Sequence, residues 1–62
     1  MSIVAIYFNV NKSSSNYGFY YFDSNAIKPP NEIINFYKSI KTQIKGEDFK
    51  LEYNIIQKQF KN

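Results

Sequence analysis

The sequence predicts a single α+β domain spanning residues 1–62: a small antiparallel sheet with one helix on one face, in the order β-β-α-β. Three observations predict it. Two N-terminal segments are apolar at strand period, a central segment repeats apolar side chains at helical period, and a late segment alternates again.

Ile3–Val10 reads as the first strand, with Val4, Ile6, Phe8 and Val10 on one side and Ile3, Ala5, Tyr7 and Asn9 on the other. Asn11–Asn16 is a polar run too short for a helix, so it closes a hairpin. Strand two, Tyr17 to about Asp23, is aromatic or apolar on both sides. Side chains alternate between faces, so Tyr17, Phe19 and Tyr21 point one way and Tyr20 and Phe22 the other. A chain this short covers only one face of a small sheet. The second face is expected to meet a partner, a ligand or another copy of the chain.

Ser24–Asn31 reads as a loop, in which Pro29-Pro30 sets an extended approach to the next element. Glu32–Lys45 has the clearest periodicity. At about 100° per residue, Ile33, Phe36, Tyr37, Ile40 and Ile44 share one face. Asn31 suits the N-cap, Glu32 the first turn and Lys45 the last, and Gly46 is placed to end the helix with a positive φ. Phe49–Ile55 alternates, with Phe49, Leu51, Tyr53 and Ile55 inward. Ile56 then breaks the pattern through a bulge or a strand end, leaving Gln57–Asn62 as a tail with Phe60 as a further contact.

Short connections put the third strand beside the first and antiparallel to it, in the spatial order two-one-three. The helix then covers the face bearing Val4, Ile6, Phe8, Phe49, Leu51 and Tyr53. In that order the aromatic strand two is an edge, and an apolar edge is a hazard unless covered or paired. Pairing across a twofold axis into a continuous six-stranded sheet resolves it, which makes a homodimer the expected assembly.

Composition narrows the function. A domain of this size buries only about 60% of its unfolded surface, so its core is near the limit of independent stability. Without cysteine it has neither disulfide nor thiolate metal site, and oligomerisation is a remaining support. Isoleucine, asparagine, lysine, tyrosine, phenylalanine and methionine supply 38 of the 62 residues, the signature of a low-GC genome, and part of the aromatic richness follows from that bias. The net charge of +3 arises wholly after residue 37, and every cation is a lysine. Met1–Val10 lacks a basic leader and a long apolar run, so neither signal peptide nor membrane span is expected. The expected compartment is the cytoplasm, that of a host if a phage encodes the protein.

Catalysis is not expected. Without histidine or cysteine, the usual general base and soft metal ligands are missing. Asp23, Glu32, Glu47, Asp48 and Glu52 read as caps and turn residues, Ser13-Ser14-Ser15 has no partner base, and no cofactor is implied. Two binding features remain. Lys38, Lys41 and Lys45 cluster in one helical stripe beside Ile34, suited to an acidic groove or a phosphate backbone, or simply to a solvated flank. Tyr7, Tyr17, Phe19, Tyr20, Tyr21 and Phe22 are the candidate partner-binding or dimer-interface residues. The expected function is a small non-enzymatic protein-binding module that occupies a surface of a larger protein, as compact phage or mobile-element inhibitors do. The alternative is single-stranded nucleic-acid binding, with bases stacked on exposed tyrosines near Lys50.

That alternative gains from a resemblance. Tyr7-Phe8-Asn9, Tyr17-Gly18-Phe19, Ile34-Asn35-Phe36, and Gly46 before Phe49-Lys50-Leu51-Glu52-Tyr53 follow one another as do the landmarks of the cold-shock domain. The resemblance implies a five-stranded β-barrel that binds single strands. The chain departs from the family pattern where Tyr7 replaces a tryptophan, Asn16 a glycine and Asn35 a histidine. It also requires Ile33–Phe36 to be strand, where periodicity predicts helix.

Overall fold

A computed structural model describes residues 3–54. It contains a three-stranded mixed sheet and one helix: β1 (Val4–Asn9), β2 (Gly18–Asp23), α1 (Asn31–Ile44) and β3 (Leu51–Tyr53). The α+β character matches the prediction, and the bounds of β1, β2 and α1 fall within a residue of those expected. β3 begins at Leu51 and not at Phe49, and Asn54 adopts a left-handed φ of 56° directly after its last residue. Ile55, Ile56 and the tail Gln57–Asn62 lie outside the described residues.

β1 and β2 form the predicted hairpin, with Phe8 opposite Phe19, Tyr7 opposite Tyr20 and Ala5 opposite Phe22. Its turn is held locally. Ser14 N–H donates to the Asn11 carbonyl at 3.0 Å, and the Asn11 side-chain oxygen accepts from Ser13 N–H at 3.0 Å. Such short-range bonds draw asparagine and serine out of ladders and into turns.

β3 lies beside β2 and parallel to it, with Phe19 opposite Leu51 and Tyr21 opposite Tyr53. The order is therefore β1-β2-β3, not two-one-three, and the sheet is mixed, not wholly antiparallel. β3 still runs opposite to β1, as expected; its neighbour is what differs. The physical reason is burial. A β-α-β crossover returns the chain alongside the strand it left, and here that strand is apolar on both faces. At the centre, Phe19 reaches 0% exposure and Tyr21 5%. The aromatic strand is consequently not an edge; among the described residues β1 and β3 are. The sheet is open, and Ile34-Asn35-Phe36 lies inside α1, so the barrel alternative is overturned.

Both helix ends differ from expectation. Pro30 (φ −70°, ψ 167°) occupies the cap position without a side-chain hydrogen bond, and Asn31 is already helical. Glu32 does sit in the first turn, where a carboxylate favours the helix dipole. At the other end Lys45, not Gly46, takes the left-handed conformation (φ 53°), and Gly46 N–H closes back onto the Lys41 carbonyl at 3.1 Å. Gly46 is required by a close approach instead. A Cβ there would lie 2.6 Å from Tyr17 Oη and 2.8 Å from Ile44 Cδ1.

The core is an aromatic cluster. Phe19 and Phe49 are fully buried. Phe8 stacks on Phe19 at 5.6 Å, while Phe36 and Tyr37 meet Phe19 edge-on at 5.9 and 5.7 Å. Tyr37 stacks on Phe49 and its hydroxyl donates to the Phe49 carbonyl at 2.6 Å, tying α1 to the approach to β3. The helix sits on the predicted face but covers it only in part, leaving Val4 47%, Ile6 43% and Phe8 41% exposed. Asn54 closes the far end: its side-chain oxygen accepts from Asp23 N–H at 2.9 Å and its amide donates to the Ile27 carbonyl at 3.2 Å.

Candidate functional site

The alternation of β2 divides the six predicted interface residues into two sets. Phe19 and Tyr21 point under α1 and are core residues with no surface to offer a partner. Tyr17 joins them: its ring meets Phe49 edge-on at 5.5 Å, and its hydroxyl is buried without a hydrogen-bond partner among the described residues. The prediction is corrected for these three. A strand apolar on both faces has one face in the core, and the sequence did not say which.

Tyr7, Tyr20 and Phe22 lie on the face turned away from α1. Tyr7 and Tyr20 are cross-strand partners whose rings stack at 5.9 Å, and such pairs stabilise a sheet beyond their buried area. Tyr20 is further fixed: its hydroxyl donates to the Tyr17 carbonyl at 3.2 Å, and its ring lies over Gly18, where a Cβ would stand 3.2 Å from Tyr20 Oη. Gly18 also has a φ of 143°, a region that side chains disfavour. Burial pushes the Tyr20 phenol above its ordinary pKa, with smaller contributions from the Glu52 carboxylate and Tyr7. Tyr7 is half exposed beside it. At the hairpin end Asn9 donates to the Asn16 side-chain oxygen at 2.9 Å and to Tyr7 Oη at 3.3 Å, which fixes the rim of this face.

Charge on this face is mixed. Glu52 is level with Tyr20 in the sheet, so a carboxylate stands where a phosphate-binding platform needs a cation. Lys50, two residues earlier, is exposed.

The three stripe lysines do come together. Lys38, Lys41 and Lys45 line an open depression of about 710 Å³ with Tyr37, Thr42, Gly46 and Glu47. The Lys41 ammonium lies 5.9 Å from the centre of the Tyr37 ring, a cation–π distance at which its stem also shields the aromatic.

Sequence reasoning missed β1 as an exposed element. Of the nine exposed large hydrophobic residues among those described, six (Ile3, Val4, Ile6, Tyr7, Phe8 and Val10) fall in and around this one strand. The signal was present, for Val4–Asn9 carries neither charge nor proline. Among the described residues no helix is long and apolar enough to cross a membrane. No protein-family model, curated protein or solved structure matches this chain.

Proposed function

We propose that the protein is a non-enzymatic protein-binding module, working as a homodimer, that uses the face of Tyr7, Tyr20 and Phe22 to occupy a surface of a larger protein. The observation that carries the reading is the preorganised tyrosine pair on the face turned away from α1: half-exposed Tyr7 stacked at 5.9 Å on a Tyr20 held over Gly18. Tyrosine is enriched where protein interfaces concentrate their binding energy, and rigid rings lose little entropy when a partner closes on them. Charges of both signs at Lys50 and Glu52 suit a protein rim. The small size and low-GC composition fit an inhibitor of the kind phages and mobile elements encode.

The test is site-specific photo-crosslinking in the producing cell, with a benzophenone amino acid placed at Tyr7 and, as control, at exposed Gln43 on the helix. The expected result is one discrete adduct larger than the crosslinked homodimer from position 7 and none from position 43. Added wild-type protein should compete it away, and a Tyr7→Ser/Tyr20→Ser variant should not. Equal labelling from both positions, or none from position 7, would sink the reading. Tyrosine quenching by single-stranded oligonucleotides with a steep salt dependence would transfer the face to nucleic acid instead.

A further inference from the structure

Among the described residues, no strand lies beside the outer edge of β1. Ser24 N–H donates to the Ile3 carbonyl at 2.9 Å, which sets the phase of the β1–β2 ladder. In an antiparallel pair, bonded and non-bonded residue pairs alternate. Ala5, Tyr7 and Asn9 thus bond to β2, and Val4, Ile6 and Phe8 turn their N–H and C=O groups outward. The side chains of these same three residues form the half-exposed strip that α1 leaves uncovered.

Most edge strands protect themselves with lysine, proline, a bulge or an inward charge. The six residues of β1 have neither charge nor proline, and their register with β2 runs without a bulge. Neutrality matters for the choice of occupant. In a twofold pair each residue meets a residue of its own strand, so any charge near the axis faces its like; β1 has none to oppose. We propose that β1 pairs antiparallel with β1 of a second copy, with Ile6 opposite Ile6 on the twofold axis. That register sets every outward amide opposite another, Val4 against Phe8 and Ile6 against itself. It also puts a small side chain against a large one on both faces, Val4 with Phe8 and Ala5 with Tyr7. The result is a continuous six-stranded sheet in which the two Tyr7–Tyr20 pairs share one platform.

The interface is small. Taking about 150–200 Å² per large side chain, the exposed parts of Val4, Ile6 and Phe8 amount to roughly 200–250 Å² per copy, with Tyr7 left to the open face. That is the size of weak, reversible contacts, and dissociation in the micromolar range is expected.

This inference rests on the homodimer within the function proposed above, and the experiment separates the two. Sedimentation of the wild type from low to high micromolar concentration tests the dimer itself, and a monomer throughout overturns both. Ile6→Lys and Ile6→Glu then test the register. Each variant alone should remain monomeric while its circular dichroism stays that of the wild type, since Ile6 is already half exposed. An equimolar mixture should recover dimer, because unlike charges then meet on the axis. Ile6→Cys should also oxidise to a covalent dimer in a chain with no other thiol, the facing Cα atoms being about 5.5 Å apart and within disulfide reach. A wild-type dimer that survives Ile6→Lys, with no disulfide at position 6, would overturn the register and leave the dimer standing.

Discussion

Removing one oxygen from the core should make this protein more stable. Tyr17 Oη is buried, has no hydrogen-bond partner among the described residues, and stands where a Gly46 side chain would collide with it at 2.6 Å. A buried polar group without a partner costs about 1–3 kcal/mol. Tyr17→Phe keeps the edge-on packing against Phe49 and removes that penalty, so a gain of about 1 kcal/mol is expected. For a domain of this size that raises Tm by about 4–8 °C. Gly46→Ala is the complementary perturbation. The φ of Gly46 is not positive, so its backbone does not require glycine; the cost is overpacking, about 1–3 kcal/mol. In the Tyr17→Phe background the closest clash is gone, leaving Ile44 Cδ1 at 2.8 Å, and Gly46→Ala should cost less. Urea and thermal unfolding followed by circular dichroism measure all four proteins. A destabilising Tyr17→Phe, or an identical cost for Gly46→Ala in both backgrounds, refutes the reasoning.

Two further outcomes follow from single residues. Lys45 holds a left-handed φ of 53° at the end of α1, a conformation that costs a non-glycine residue about 1–2 kcal/mol, so Lys45→Gly should stabilise by roughly 1 kcal/mol in urea unfolding. The Tyr20 phenol titrates above 10 in the folded protein because burial, then Glu52, then Tyr7 disfavour its anion. The folded state thus holds this proton more tightly than the unfolded chain, and the stabilisation, complete below pH 10, is lost as pH rises through the folded value. Absorbance titration of wild type against Tyr20→Phe isolates this group. Glu52→Gln should move its midpoint toward 10 without reaching it, since burial is the larger cause, and an unchanged midpoint would exclude Glu52 as a contributor.

What the sequence disclosed was whatever its local periods encode. Ile33, Tyr37, Ile40 and Ile44 mark the inner side of α1, and alternation placed β1 and β2 within a residue of their observed bounds. Pairing was not legible in the same way. Whether Leu51 lies beside Phe8 or Phe19 depends on which strand has more apolar surface to hide, and short connections were the weaker criterion. That one misplacement made β2 an edge and assigned buried Phe19 and Tyr21 to an interface. Tyr7, Tyr20 and Phe22, by contrast, share a face by alternation and register whatever the strand order. Asn54 gave no signal at all, since its bonds reach residues about thirty positions away.

The central position of β2 also has a consequence in time. Its partner on one side arrives before it in the chain; its partner on the other is made about 30 residues later, roughly 2–6 s at ordinary rates of synthesis. Hairpins close in microseconds but are marginal alone, so for that interval any β1–β2 ribbon the nascent chain forms has an open β2 edge and an uncovered Phe19. The exposure of the aromatic strand is thus greatest before β3 is made. Its end comes with Phe49, the ring that seats against Tyr17 and Tyr37 and brings β3 in behind it.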